Sequence, residues 1–228
     1  MGRPMGLRQL LLSVITTFSL VGTSVAQADI VFVTVVDNDG NPLPNAVISI
    51  PGEPKRPLKN AIMDQVNSQF LPHVLAIPVG SEVLFPNSDN IRHHVYSFSP
   101  AKTFETKLYA NEARPRIEFG TAGIVALGCN IHDQMRGYIY VSPHQVSVVT
   151  DAKGQAQLEL KRDTEVLLWH PWLETQTGNN AVPTEIKATI SVATRTPQLQ
   201  LAVTAPAEPK SEPSKLRQRF QRRSTDGT

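Results

Sequence analysis

Three residues with metal-binding side chains lie on one short segment near the middle of the chain. Cys129, His132 and Met135 follow the spacing Cys-x-x-His-x-x-Met, and Cys129 is the only cysteine among the 228 residues. Thiolate, thioether and imidazole side chains bind copper ions well and bind calcium or magnesium poorly. Two adjacent histidines, His93 and His94, lie upstream in a strand-like segment. The sequence therefore predicts a metal site that joins two separate parts of the chain.

The N-terminus has the three parts of a secretory signal peptide. Arg3 and Arg8 give it a positive start, residues 10–21 are largely apolar, and residues 26–28 offer the small-residue cleavage site Ala-Gln-Ala. An uncleaved membrane anchor is the alternative, although the apolar stretch is shorter than the ~20 residues that a membrane span needs. We therefore exclude residues 1–28 from the fold and expect a periplasmic or secreted protein.

The single cysteine is informative in an exported protein. Cys129 cannot form a disulfide within the chain, and an unpaired thiol in an oxidising compartment is a liability unless it is buried, paired between chains or bound to a metal. A buried structural cysteine is the alternative to a metal ligand. The neighbouring His132 and Met135 favour the metal.

The charge of the chain excludes few functions but does not favour nucleic-acid binding. The formal net charge is +2, and much of the positive charge lies in residues 215–223. Residues 205–228 also contain Pro, Ser and Glu, so we predict a disordered basic tail. A contact with an acidic partner or a membrane surface is the weaker alternative for this tail. After the signal peptide, no segment is long and apolar enough to span a membrane.

Short runs of β-branched and apolar residues, separated by Gly, Pro, Asn and Asp, recur along the chain. They predict strands at 30–36, 46–50, 74–78, 83–85, 94–98, 117–119, 123–127, 138–141, 146–150, 155–160, 166–169, 186–192 and 198–203. This spacing predicts an all-β sandwich or barrel. The one helical pattern is a turn or two at residues 101–113.

The two ends of the strand-rich region resemble one small module. Residues 33–47 (Val-x-Val-x-Asp-x-x-Gly-x-Pro-Leu-Pro-x-Ala-Val) and 150–158 (Thr-Asp-x-x-Gly-x-x-x-Leu) are similar to two consecutive motifs of carboxypeptidase-regulatory-like β-sandwiches. We therefore predict such a sandwich from residues 29–58 plus 143–204. A second domain, residues 59–142, is then inserted into one of its exposed turns. A single extended sandwich is the alternative.

The inserted region resembles the cupredoxins, which are small blue-copper proteins. A Gly80 turn precedes a Val-x-Phe strand and Asn, residues 92–95 read Arg-His-His-Val where the family has His-Asn-Val, and residues 123–129 form a strand ending in Cys129. Residues 135–141 are similar to the family's last strand. The loop is as short as that of amicyanin, and a group of methylamine-utilisation proteins has the same arrangement. The resemblance implies a Greek-key β-sandwich or barrel.

The resemblance also implies one type 1 copper ion held by His93, Cys129, His132 and Met135. Independently of it, a thiolate and two imidazoles form a trigonal set to which a thioether adds a long axial contact. His94 occupies the position at which cupredoxins have an asparagine that ties the two ligand loops together. His94 can replace that tether, point outward or exchange roles with His93. Adjacent strand residues face opposite sides, so one of the pair reaches the metal, and we favour His93.

The remaining aromatic residues and histidines have structural interpretations. We expect His73, His144 and His170 to be structural, and residues 169–172, which read Trp-His-Pro-Trp, to pack in a core or at a strand end. Tyr96, Phe98 and Tyr140 are expected to fill the core of the copper domain.

The resemblance implies a periplasmic one-electron carrier that is not itself an enzyme. Its partners would be redox proteins such as a periplasmic dehydrogenase or a c-type cytochrome. A non-redox copper module for delivery, storage or sensing is the main alternative. Two further alternatives are a thiol enzyme that uses Cys129 with His132 as its base, and a secreted adhesion protein with a vestigial copper site.

Overall fold

The computed structural model describes residues 28–110, 115–177 and 183–206, with side chains omitted at 175–177. The predicted signal peptide, apart from residue 28, and the tail from residue 207 onward lie outside these ranges. Within the described ranges no helix has the length and apolar composition needed to cross a membrane.

The described residues fold almost entirely into strands, which confirms the predicted all-β class. One short helix accompanies them. The elements are β1 (Asp29–Val36), β2 (Val47–Ile50), β3 (Ala61–Ile62), β4 (Asp64–Val66), β5 (Gln69–Leu71), β6 (Val74–Pro78), β7 (Ser81–Leu84), β8 (Tyr96–Ser99), β9 (Lys102–Glu105), β10 (Arg116–Phe119), β11 (Gly123–Gly128), β12 (Arg136–Ser142), β13 (Val146–Val149), β14 (Gln155–Leu160), β15 (Thr164–Trp169), α1 (Pro171–Thr177), β16 (Ile186–Ile190) and β17 (Gln198–Gln200).

One hydrophobic core is built from the two ends of the strand-rich region. β1 pairs antiparallel with β14 and parallel with β17, while β13, β2, β15 and β16 form a second sheet in that order. Alternate residues of β1, among them Val31 and Val33, are buried and meet Ile48 and Leu168 of the second sheet in this core. Period-two burial of this kind is expected where one face of a strand packs on a core.

A second core lies between a five-stranded and a three-stranded sheet. The larger sheet has the order β6-β12-β11-β8-β9 and the smaller one the order β10-β7-β3. Val83 and Phe119 of the smaller sheet are buried with Val125, Leu127 and Ile139 of the larger one. Cys129 and Met135 belong to the same buried cluster, so the segment singled out in the sequence lies at the border of this core.

The five-stranded sheet is covered on both faces. On β11 and β12, Val125 and Ile139 face the second core, whereas their neighbours Ile124 and Tyr140 belong to the first. The Tyr140 ring packs against Trp169, with ring centroids 5.6 Å apart. The two cores therefore share this sheet. The division into an inserted and a flanking domain, with its carboxypeptidase-regulatory-like resemblance, stays a prediction.

Three local expectations from the sequence are wrong. Residues 101–110, the described part of the predicted helical turn at 101–113, contain strand β9 instead, which pairs antiparallel with β8; residues 111–113 lie outside the described ranges. The side chain of Phe98 does not fill a core, because Phe98 is 78% exposed on the outer face of β8. Tyr140 is buried as expected, but in the first core. Tyr96 is half-buried.

Candidate metal centre

The loop of residues 129–135 connects the paired strands β11 and β12 and carries three of the four predicted ligands. The amide of Met135 donates to the carbonyl of His132 at 2.8 Å, which closes the loop into a tight turn. Gly128, just before the loop, lets the Tyr96 ring approach closely: a Cβ at this position would lie 2.7 Å from Tyr96 Cζ. Tyr96 therefore packs directly beside the start of the loop.

His93 reaches the same place from the segment before β8. Its backbone forms an isolated antiparallel bridge with Tyr109, and each amide donates to the other residue's carbonyl at 2.9 Å. The Asn87 side-chain amide donates to the carbonyls of Ile91 and Tyr109 at 2.9 and 3.0 Å. These bonds fix the backbone on both sides of His93, whose side chain is fully buried.

The structure brings His93, Cys129 and His132 together. Nδ1 of His93 lies 4.0 Å and Nδ1 of His132 lies 3.7 Å from Cys129 Sγ, and the three ligand atoms are all within 4.8 Å of one another. Metal bonds of roughly 2.3 Å to sulfur and 2.0–2.1 Å to nitrogen, at angles near 110–120°, separate the two donors by roughly 3.5–3.8 Å. The observed separations fit a shared metal ion with little movement. One thiolate and two imidazoles are a donor set that suits copper.

Met135, the predicted axial ligand, is buried in the hydrophobic cluster that contains Cys129. Both residues also line a cavity of about 550 Å³ beside the loop. The structure thus places the thioether in the apolar surroundings of the thiol. Its assignment as a ligand stays a prediction.

His94 lies apart from the group formed by its neighbour. Its Nε2 is 2.9 Å from Glu105 Oε1 on β9, and the Glu105 side chain is largely exposed. Nδ1 of His94 is buried and has no hydrogen-bond partner among the described residues. The sequence left three roles open to His94, and one of them was an exchange with His93. The structure does not show that exchange, because His93 and not His94 lies beside Cys129.

Asp89 contacts the far side of the His93 ring, with Oδ2 at 2.7 Å from Nε2. The same carboxylate accepts the amide hydrogens of Asn67 at 2.6 Å and Ser68 at 2.8 Å, in the turn between β4 and β5. Burial alone would raise the pKa of Asp89, but the hydrogen bonds from Ser68, His93 and Asn67 outweigh it and lower the pKa below its usual value. Asp89 is therefore an ionised acceptor at neutral pH.

Tyr109 is a buried polar neighbour of the site. Its hydroxyl donates to the Phe85 carbonyl at 2.8 Å and accepts from the side-chain amide of Gln65. Burial, with the nearby charges of Asp64 and Cys129, raises the pKa of Tyr109 to about 12. The phenol is consequently neutral over the physiological range and braces the segment that pairs with His93.

The other histidines have separate surroundings. Burial lowers the pKa of His73, whose ring packs edge-on against Tyr138, and lowers the pKa of His170 to about 4. His170 Nε2 donates to the Pro44 carbonyl at 3.1 Å, and His144 Nε2 lies 3.1 Å from Glu185 Oε1. Among the described residues, His93, Cys129 and His132 form the one group of three His, Cys, Asp or Glu donors close enough to share an ion.

Sequence reasoning missed Asp89, Glu105 and Tyr109. The available signal for Asp89 was its position four residues before His93, since metal-binding histidines commonly donate their second ring N–H to a carboxylate. Glu105 and Tyr109 carried no comparable signal, because their contacts depend on how the segment after β8 folds back.

Comparison with known proteins gives partial structural similarities. No protein-family model and no curated protein matches the chain. A copper-containing nitrite reductase (NirK) from Thermus scotoductus SA-01 is similar over 47% of this chain, at 28% identity with a TM-score of 0.35, and the chain spans only 28% of that reductase. A purple cupredoxin from Nitrosopumilus maritimus matches 37% of this chain and 99% of its own, at 24% identity with a TM-score of 0.33. A reduced amicyanin variant matches 42% of this chain and 98% of its own, at 21% identity with a TM-score of 0.35.

Proposed function

We propose that this chain is a type 1 copper protein that carries single electrons. The observation that supports the proposal is the convergence of His93, Cys129 and His132 from two segments onto one buried point. Copper bound there supplies a one-electron Cu(I)/Cu(II) couple. Met135 is proposed as the weak axial donor, since it is buried in the same cluster.

The protein's own contribution is a set of ligands that is largely shielded from solvent and held by the surrounding backbone. His93 is fully buried and Cys129 is 3% exposed, so water has little access to their donor atoms. The bridge to Tyr109 holds His93, and the loop between two paired strands holds Cys129 and His132. Ligands that move little between the two oxidation states favour fast electron exchange, and the surroundings of the sulfur adjust the potential.

His132 provides the access that an electron carrier needs. It is half-buried and is the most accessible of the four proposed ligands. A redox partner would therefore approach the site from the His132 side. As partners we propose other redox proteins, such as a periplasmic dehydrogenase or a c-type cytochrome, in the exported location that the N-terminal sequence predicts. In this function the chain transfers electrons and is not itself an enzyme.

Burial of the ligands favours a carrier over a copper-delivery protein, which must release its ion to a recipient. A mild copper chelator distinguishes the two functions. A carrier should retain its copper in the presence of the chelator and show a reversible potential, whereas a delivery protein should lose its copper rapidly.

The first experiment is to record visible absorption and EPR spectra of residues 29–228 after addition of one equivalent of Cu(II). We expect an intense thiolate-to-copper charge-transfer band and narrow hyperfine splitting. Cys129→Ala, which removes the chain's one thiol, is the control and should be colourless yet folded. A pale wild-type spectrum with ordinary copper parameters, or a colour that survives Cys129→Ala, would contradict the proposal.

A further inference from the structure

The carboxylate of Asp89 lies behind the proposed ligand set. Asp89 Oδ2 is 2.7 Å from Nε2 of His93, while Nδ1 on the opposite side of the ring is the nitrogen nearest to Cys129 Sγ. The His93 side chain is fully buried, and that of Asp89 is 13% exposed. The short contact is therefore largely protected from competition by water.

Asp89 is itself held in place by the backbone. Asn67 and Ser68 both have positive φ values, 53° and 57°, in the turn between β4 and β5, and their two amides point at the carboxylate. The amide of Asp89 donates in turn to Asn87 Oδ1 at 3.0 Å. Because these three hydrogen bonds hold Asp89 in addition to its contact with His93, the carboxylate has a defined position before any ion binds.

The chemistry of the contact determines where the His93 proton lies. An ionised carboxylate can only accept hydrogen bonds, so Nε2 of His93 must carry the hydrogen. In a neutral imidazole the other nitrogen then has a free lone pair. That nitrogen is Nδ1, which lies 4.0 Å from Cys129 Sγ. The contact thus prepares His93 to bind a metal through Nδ1.

We propose that Asp89 is a positioning residue that fixes the Nε2–H tautomer of His93 and lowers the reduction potential of the centre. A carboxylate on the far side of a ligating imidazole makes the ring a stronger donor, which favours the higher oxidation state of the metal. The proposal concerns the same site as the proposed function and rests on it for the effect on copper. The tautomer can be tested without any metal.

The test compares Asp89→Asn with a matched control, Asp37→Asn. Asp37 also accepts two backbone amides in a turn, from Asp39 and Asn41 at 2.9 Å each, but has no histidine contact. Both variants remove one negative charge and weaken one turn. They differ in that only the Asp89 change alters the contact to His93.

The first readout is the ¹⁵N NMR spectrum of the imidazoles in the copper-free protein. We expect wild type and Asp37→Asn to show His93 protonated at Nε2. Asp89→Asn should show a mixture of tautomers, because an amide can donate as well as accept. A wild-type His93 protonated at Nδ1 would overturn the proposal, and this result remains accessible even if Asp89→Asn does not fold.

The second readout is the reduction potential of the copper-loaded proteins. Loss of such a carboxylate commonly weakens metal binding by about 10–100-fold. If only the binding of Cu(II) is weakened, each tenfold loss of affinity raises the reduction potential by about 59 mV for one electron. We expect the reduction potential of Asp89→Asn to lie at least this amount above that of Asp37→Asn. Equal potentials in the two variants, or an unchanged His93 tautomer, would overturn the role of Asp89.

Failure of this proposal differs visibly from failure of the proposed function. If wild type shows the intense thiolate-to-copper band but Asp89→Asn matches the control, Asp89 has no positioning role and the copper site stands. If wild type itself gives a pale copper spectrum, the electron-carrier function fails, and the tautomer measurement still decides the role of Asp89 at His93.

Discussion

His93 and His94 are neighbours in the sequence, yet their side chains have different partners. His93 lies against Cys129 on one side and Asp89 on the other, whereas His94 contacts Glu105 on β9. Adjacent residues of an extended segment project to opposite sides, which explains the separation. Substitutions at His93 and at His94 are therefore matched controls for each other, because the side chains are identical and adjacent but have different partners.

We predict that His93→Asn abolishes the intense charge-transfer band of the copper-loaded protein and that His94→Asn preserves it. The substitution at His93 removes a nitrogen of the three-donor group, while the one at His94 removes only the contact to Glu105. Absorption titrations with Cu(II) on both variants check this. A band that is lost in His94→Asn and retained in His93→Asn would reverse the two roles.

The proposed axial role of Met135 predicts opposite shifts for two substitutions. Met135→Gln should lower the reduction potential, because an oxygen donor stabilises Cu(II) more than a thioether does, and Met135→Leu should raise it. Met63→Leu is the control, since Met63 is buried in the same cluster and is not a proposed ligand. Voltammetry of the three variants checks the prediction. Potentials for both Met135 variants equal to that of wild type would remove Met135 from the ligand set.

At the scale of residues, the sequence predicts what local spacing determines. The Cys-x-x-His-x-x-Met spacing placed Cys129 and His132 on one loop, and the structure has their donor atoms 3.7 Å apart. The contact of Asp89 with His93 was not predicted, although Asp89 lies only four residues before His93 in the sequence. The spacing alone does not place the carboxylate, because Asp89 is held by amides of the turn at Asn67, which is distant in sequence.

At the scale of elements, β12 packs closely under the β4–β5 hairpin. A Cβ added at Gly137 of β12 would lie 2.8 Å from Phe70 Cβ on β5, so the backbone of one strand would have to move. Gly120, just after β10, has no heavy atom within 4 Å of the corresponding position. The absence of a side chain therefore matters at Gly137 and does not matter at Gly120.

We predict that Gly137→Ala destabilises the protein by about 1–3 kcal/mol, the usual range for forcing atoms into a packed core. Gly120→Ala should change the free energy of unfolding by less than about 0.5 kcal/mol, as for most surface substitutions. Urea unfolding of the copper-free proteins measures both. Equal stabilities of the two variants would show that β5 and β12 are not packed as described.

Strand prediction succeeded where the sequence has a β-branched run, as in β1, or a regular alternation of polar and apolar residues, as in β14, and it failed for the shortest strands. β1 and β14 were predicted almost to the residue, since their alternating side chains face one core. Four short strands were missed: β3, β4, β5 and β9. Such strands are specified by their partners, which are β7 for β3, β8 for β9, and each other for β4 and β5. Helix α1 was also missed. It occupies only residues 171–177, and a helix of about two turns is too short to show a clear hydrophobic periodicity in the sequence.

At the scale of the whole molecule, the five-stranded sheet is the element that the two cores share. The sequence of β11, Gly-Ile-Val-Ala-Leu-Gly, has no polar residues, as expected for a strand buried on both faces. The sequence thus predicted a strand there but not the second layer against it. Tyr140 was accordingly placed in the wrong core. The apolar run alone does not indicate which element covers each face.

The buried His170 links the acid stability of the molecule to the first core. It donates to the Pro44 carbonyl and accepts from the Trp172 amide at 3.2 Å, so both ring nitrogens are used in the neutral form. Burial lowers its pKa from 6.5 to about 4. Between these values the unfolded chain binds a proton that the folded chain does not, and stability therefore falls as the pH falls.

We predict a loss of about 2 kcal/mol from this group between pH 7 and pH 4.5, given 1.36 kcal/mol for each unit of pKa difference. Carboxylates such as Asp37 and Asp151, with pKa values below their usual range, contribute only at lower pH. Burial also lowers the pKa of His73, so wild type must be compared with His170→Gln, which keeps His73. Urea unfolding of the copper-free proteins at the two pH values should show a smaller loss in His170→Gln. His170 joins the turn at Pro44 to the segment after β15. An equal loss of stability in both proteins would contradict the prediction and would mean that protonation of His170 does not disturb this junction.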